Sequence, residues 1–314
     1  MTGALTIGVL ITYYGERELL HECLESLQQQ TQPVDEILVY DDASDAPPDS
    51  YIPDGMSVKV LRGATNRGPA HGRNQLLAAS TTDYVHFHDA DDVFAPEWHA
   101  RVRSEIEQQD VDAVFTEVDA VRETGADSPR VLGLQSLIGT RDLLRFCING
   151  VMLVPAGTYR RDRVLGIGGY RTTLWQSEDF DFHVRLAATG ITYAVIPESL
   201  VTIRVRAASR SQQHVEALAN YVRAVGLLAK ELPIEYIGDL ADSAARAGSR
   251  LHALGAKTEA SEAFKLAQRL GPPRFTTQRR AYRVIASTIG FQNAENIAGL
   301  YRRLLPSRVR QLFA

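Results

Sequence analysis

The chain has 314 residues, 45% hydrophobic and 23% charged, with a net charge of −4. That is globular composition, enough for one large core or two smaller ones, and the acidic balance gives no basis for nucleic-acid binding. No apolar run has the length of a membrane span and no leader precedes the first strand, so the sequence reads as cytoplasmic; Cys23 and Cys147, without metal-ligand spacing, read as buried thiols of a reducing compartment.

Leu5–Ile11 is an apolar β run, and Glu18–Gln29 places Leu19, Leu20, Cys23, Leu24 and Leu27 at helical spacing. Glu36–Tyr40 is a second short strand. Strand, helix and strand make a βαβ unit, so the two strands are expected to run parallel, with their C-terminal ends side by side. Those ends carry Thr12, Tyr13 and Tyr14 on one strand and Asp41 and Asp42 on the other. An aromatic ring beside a carboxylate suits a nucleotide base, through stacking and an acceptor for a base N–H or ribose hydroxyl; a capping aspartate and a core tyrosine would leave the same trace. Val58–Arg62 is a third strand. The glycine-bearing loop Asn66-Arg67-Gly68-Pro69-Ala70-His71-Gly72-Arg73-Asn74 then opens a helix over Gln75–Ala79, and Arg73 early in it favours an anion.

Tyr84–Phe94 starts as a strand and ends in Asp89, Asp91 and Asp92. Like charges delivered to the end of a strand repel unless a cation joins them. Oxygen ligands suit Mg²⁺ or Mn²⁺, which complete their shells with water and phosphate; an acidic turn is the plainer alternative. Pro96–Gln108 follows as a helix, Ala113–Thr116 as a strand and Glu123–Arg130 as a polar loop. The apolar Phe146–Val154 fits a strand flanking an acceptor, and Gly166–Arg171 a flexible turn. Ser177 is placed to cap a helix with Glu178 and Asp179 in its first turn and an apolar face beginning at Val184, Leu186 and Ala187. From His214 the pattern is helical, over Glu216–Glu231, Tyr236–Leu254 and Thr258–Leu270. Residues 273–314 hold eight arginines and one acid among apolar residues, a pattern that fits either a peripheral membrane anchor or a face packed on the protein.

Thr12-Tyr13-Tyr14, Gln30-Thr31-Gln32-Pro33, Val39-Tyr40-Asp41-Asp42-Ala43-Ser44, the Asn66–Asn74 loop and Phe87-His88-Asp89-Ala90-Asp91-Asp92 follow one another in an order and spacing that resemble the inverting GT-A glycosyltransferases of family 2, over roughly residues 4–210. The resemblance implies an α/β fold: a GT-A, Rossmann-like, mostly parallel sheet flanked by helices. Residues 1–212 would be the catalytic domain, with 1–95 the nucleotide-sugar half and 96–212 the acceptor half, and 213–314 a helical region with a basic amphipathic tail. It also implies metal-dependent, inverting transfer of one sugar from a nucleoside-diphosphate sugar, UDP foremost, to a hydroxyl of a glycan or lipid-linked acceptor in cell-surface polysaccharide or glycoconjugate synthesis. By the same match Thr12, Tyr14 and Asp42 would hold base and ribose, Arg73 would approach the nucleotide or diphosphate, and Asp89 and Asp91 would be the DxD pair that binds the donor and its Mn²⁺ or Mg²⁺, with Asp91 foremost as metal ligand. Asp179, followed by Arg185-Leu186-Ala187, would be the catalytic base, with Glu178 binding the acceptor or orienting Asp179, and Trp175 near acceptor or diphosphate. In two places the chain departs from the pattern. Arg206 stands where family members often carry a histidine, so it would weaken metal binding or hold diphosphate itself. No Gln-x-x-Arg-Trp follows Asp179, so transfer is expected to be non-processive. A non-catalytic nucleotide-sugar-binding module is the alternative; a sugar-1-phosphate nucleotidyltransferase would need a glycine-rich phosphate loop that Gly8–Glu16 lacks.

Overall fold

The computed structural model describes residues 5–122, 127–128, 133–139, 142–206, 214–271, 280–291 and 293–297. Ile7–Tyr13 (β1), Glu36–Asp41 (β2), Lys59–Arg62 (β3) and Tyr84–Asp89 (β4) pair in parallel in the order β3-β2-β1-β4. Crossovers through Glu18–Gln28 (α1) and Pro69–Ala79 (α2) cover the sheet, which is why the central strands β1 and β4 are almost wholly buried and β1 reads as a near-continuous apolar run. Register brings Thr12 opposite both Tyr40 and Asp89, and Tyr13 opposite Asp41. The polar strand ends foreseen from the sequence therefore form one row at the C-terminal edge of the sheet, where ligands bind in such folds.

Past β4 come Val93–Phe94 (β5), Trp98–Gln109 (α3), Ala113–Arg122 (β6), Asp127–Ser128 (β7), Leu143–Asn149 (α4), Gly157–Arg160 (β8), Arg161–Gly166 (α5), Glu178–Ala188 (α6) and Tyr193–Val205 (β9). They extend the sheet as β4-β8-β6-β9-β5, with β7 on β6. β8 runs antiparallel to β4 and β6, and β9 parallel to β6, so the second half of the sheet is mixed where the first is wholly parallel.

The strand expected over Phe146–Val154 is not there. α4 occupies its first part, and a 3-10 turn, Val154–Ala156, follows before β8 begins. The Asp142 carboxylate accepts the Arg145 N–H and caps α4, while Leu143, Leu144, Cys147 and Ile148 recur at helical spacing on its buried face. Cys23 and Cys147 are free and buried.

The chain divides into two compact units, residues 1–212 and 213–314. The second contains His214–Leu228 (α7), Ile234–Ala253 (α8), Lys257–Leu270 (α9) and Arg280–Ile289 (α10). α8 and α9 approach closely at Gly248, where a Cβ would lie 2.6 Å from the Phe264 ring. Phe264 stacks on Phe291, and the Ser249 hydroxyl donates to Glu295, so this part of the basic tail packs within its own unit. Arginines 302, 303, 308 and 310 lie outside the described residues, as does most of the Glu123–Arg130 loop. Among the described residues no helix is long and apolar enough to cross a membrane.

Candidate active site

The residues expected to hold the nucleotide lie at the ends of β1 and β2. Asp41, fully buried, accepts the Ser44 N–H at 2.8 Å and Arg62 Nη1 at 2.7 Å, so it shapes the turn. Asp42 accepts the backbone N–H of Arg67 at 2.9 Å and that of Gly68 at 2.7 Å, which suspends the loop ahead of α2 from β2. Gly68 has φ 81°, a conformation that favours glycine, and a Cβ there would sit 3.0 Å from the Trp175 ring, which would have to give way. Tyr14 is exposed, and its N–H is held by Glu16 at 2.5 Å. A cavity of about 400 Å³ lies beside this loop, lined by Tyr40, Arg62, Gly63, Arg67, His71 and Gln75.

Arg73 does not lie open to a ligand as expected. Only 2% exposed, it donates from Nη2 to Asp89 Oδ1 at 2.7 Å and from Nη1 to Glu178 Oε1 at 2.8 Å, under the Tyr170 ring 5.2 Å from its centroid. Burial alone would lower its pKa; the charges of Asp89 and Glu178 more than offset this and keep it protonated. Arg73 is therefore a strut between the donor-side acid and α6. Asp89 also accepts from the Thr12 hydroxyl at 3.1 Å. Asp91 Oδ2 receives Arg206 Nε at 3.0 Å and Nη2 at 2.6 Å. Burial raises the Asp91 pKa, with Asp89 adding to the rise and Arg206 opposing it. Asp92 turns inward: its carboxylate accepts the Arg204 N–H at 2.9 Å, and burial holds its pKa well up. The Asp89–Asp91 pair offers only oxygen, which fits a hard divalent ion completed by water and phosphate. Among the described residues no three His, Cys, Asp or Glu side chains converge into a protein-only metal cage.

Three acids open α6 and take three directions. Glu178 meets Arg73. Asp181, fully buried, binds Arg171 Nη1 and Arg185 Nε, each at 2.7 Å. Asp179 stays partly exposed and accepts the Phe180 N–H at 2.8 Å. Its pKa is raised to about 7, by burial first and then by the charge of Glu178. Ser177 makes no side-chain capping bond; its φ of 59° is left-handed rather than the extended backbone usual for a capping residue. Nor is Gly166–Arg171 a loose turn. The Asn74 side-chain amide pairs with the Tyr170 backbone both ways at 2.8 Å, and Arg185 donates to the carbonyls of Ile167 and Gly169. The Asp181–Arg185 spacing of four on a helix was a visible signal for this network; Asn74 and Tyr170, 96 residues apart, left none. Half-exposed Trp175 lies between the Gly68 loop and α6.

Residues 8–165 match the family model for glycosyl transferase family 2. An uncharacterized glycosyltransferase of Haemophilus influenzae is 30% identical over 186 residues, 57% of this chain and 61% of that protein, so the chain spans about three-fifths of that relative. The amylovoran biosynthesis glycosyltransferase AmsE of Erwinia amylovora is 28% identical over 217 residues, 63% of this chain and 75% of AmsE. In fold, the chain resembles residues 1–349 of S. aureus TarS, solved with UDP-GlcNAc, at a TM-score of 0.62 and 15% identity over 95% of this chain and 92% of that one. It also resembles the mannosyltransferase PcManGT of Pyrobaculum calidifontis, solved with GDP-Man and Mn²⁺, at 0.58 and 18% over 96% and 88%. The matched half of the sequence runs from β1 to β8 and holds the Asp42 loop, Arg73 and Asp89–Asp92, so the chain belongs to glycosyl transferase family 2 and has the GT-A fold.

Proposed function

We propose that the protein transfers a single hexose, with inversion, from a nucleoside-diphosphate sugar, UDP foremost, to a hydroxyl of a glycan or lipid-linked acceptor in cell-surface polysaccharide or glycoconjugate synthesis. The observation that carries this reading is Asp179, a partly exposed carboxylate with a pKa raised to about 7, joined electrostatically through Arg73 to the acids at the end of β4. A base of that pKa suits removal of a hydroxyl proton at neutral pH. The acceptor oxygen attacks the anomeric carbon as its proton passes to Asp179, and the bond to the diphosphate breaks with its electron pair on the leaving oxygen.

Tyr14 and the Asp42-hung loop would receive the base, with Thr12 steadying Asp89. Asp89 and Asp91 would hold Mn²⁺ or Mg²⁺, which when bound neutralises charge on the departing diphosphate. Glu178, through Arg73, positions the start of α6, and the open face of Trp175 would stack on a sugar ring. The UDP-GlcNAc complex of TarS and the name of AmsE support the donor and pathway class. The basic, apolar tail supports contact with an anionic membrane face, as a lipid-linked acceptor would require.

The test is calorimetric titration with UDP, GDP and dTDP, with and without Mn²⁺, followed by donor turnover. One nucleotide binding alone of the three, and a product of inverted anomeric configuration by NMR, is the expected outcome. A folded protein that binds none of them would end the donor reading.

A further inference from the structure

We infer that Arg206 is a resident counter-cation, parked on Asp91 in the donor-free enzyme, that moves to the diphosphate when the donor enters and thereby opens Asp91 to the divalent ion. The inference deepens the proposed function and rests on its donor-diphosphate reading. Two N–H groups of Arg206, Nε and Nη2, converge on a single oxygen, Asp91 Oδ2, at 3.0 and 2.6 Å. Neither partner is sealed in: the side chains are 27% and 17% exposed, so the pair can be opened from solvent. The contrast with Arg73 is instructive. That side chain is 2% exposed and divided between two carboxylates on separate elements, whereas Arg206 spends its fork on one.

The charge balance makes the exchange two-way. Asp91 lies in the field of Asp89, Asp92 and Glu16, and Arg206 acts on both Asp91 and Glu16. A diphosphate arriving here meets this acidic ground and needs a cation; Arg206, already seated on Asp91 and open to solvent, is one that is not built into the frame, and a guanidinium matches phosphate oxygens in two-pronged geometry. Once it leaves, Asp91 is a partly buried carboxylate with its charge uncompensated, beside Asp89, and that attracts a divalent ion. An ion arriving alone must instead displace the guanidinium. Donor and metal therefore assist each other through Arg206, and linkage requires the assistance to be equal in both directions.

The experiment compares the native protein with Arg206→Gln, each titrated with Mn²⁺ alone by the loss of the free-ion EPR signal, then with UDP alone by calorimetry. Arg206→Gln should bind Mn²⁺ at least about tenfold more tightly than the native protein and UDP alone at least about tenfold more weakly. Arg206→Lys, which keeps the charge and loses the fork, should fall between the two in UDP binding. Circular dichroism confirms that the variants are folded. Equal or absent Mn²⁺ binding in native and Gln proteins overturns the inference, and if UDP still binds the native protein, the donor reading stands without it. If UDP binds neither protein, the donor reading falls, and with it the exchange.

Discussion

At the scale of the residue, the proposed chemistry turns on one carboxylate whose surroundings keep it protonated longer than usual. Asp179 ionises near 7, so kcat/KM should fall about tenfold per pH unit below that value and level off above it. Asp179→Asn should retain nucleotide binding by calorimetry and lose transfer by roughly 10²–10⁴-fold. The same shift carries a stability cost of definite sign. Unfolded, the carboxyl ionises near pH 4; folded, near 7; so between those values the unfolded chain has released a proton that the folded one keeps. Stability due to this group therefore declines as pH rises from about 4 to about 7 and stays reduced above it. Asp179→Asn removes the penalty, and at pH 8 its Tm should exceed the native value, by roughly 2–4 °C per kcal/mol relieved. Arg73 acts in the opposite sense. Arg73→Met would strand the Glu178 carboxylate and one oxygen of Asp89, and urea unfolding should show a loss of about 3 kcal/mol, at the low end for a broken buried pair because Asp89 is partly open.

At the scale of the element, loops and helix ends are held by side chains that imitate backbone. Asn74 does this for the turn before α6, and Asn74→Ala should cost about 1–3 kcal/mol and abolish hydrogen-exchange protection of the Tyr170 amide. Gly68→Ala should bring the Trp175 ring and the Asp42 loop into conflict and weaken nucleotide binding more than it weakens folding. The sheet and its C-terminal row of polar residues were legible because burial on both faces writes itself as apolar runs, and a parallel βαβ unit fixes where those runs end. The roles of single side chains were less so. Asp42 was visible as an acid at a strand end, but its attachment to the Arg67 and Gly68 amides depends on a loop 25 and 26 residues away. Arg73 was visible as a cation at a helix start, yet its burial depends on Glu178, 105 residues on. The apolar content of Phe146–Val154 was plain, and the Asp142 cap that made it a helix lay just outside the stretch.

At the scale of the whole molecule, the first unit contains every residue assigned to donor, base and acceptor side. A chain ending at Gln212 should fold, by circular dichroism, and bind nucleotide with the affinity of the full protein. The second unit's contribution would then appear in acceptor KM. Within the first unit, the Arg73 strut limits how such an enzyme can be recombined. Its guanidinium belongs to α2, in the proposed nucleotide-sugar half, and one of its two anchors, Glu178, belongs to α6, in the proposed acceptor half. A graft that exchanges residues 96–212 for those of a relative is therefore not an exchange of independent modules. The incoming segment must deliver a carboxylate at the place of Glu178, or the transplanted enzyme inherits a buried cation with half its counter-charge missing. Acceptor preference can drift only around such fixed points, Glu178 and the proposed base Asp179 among them.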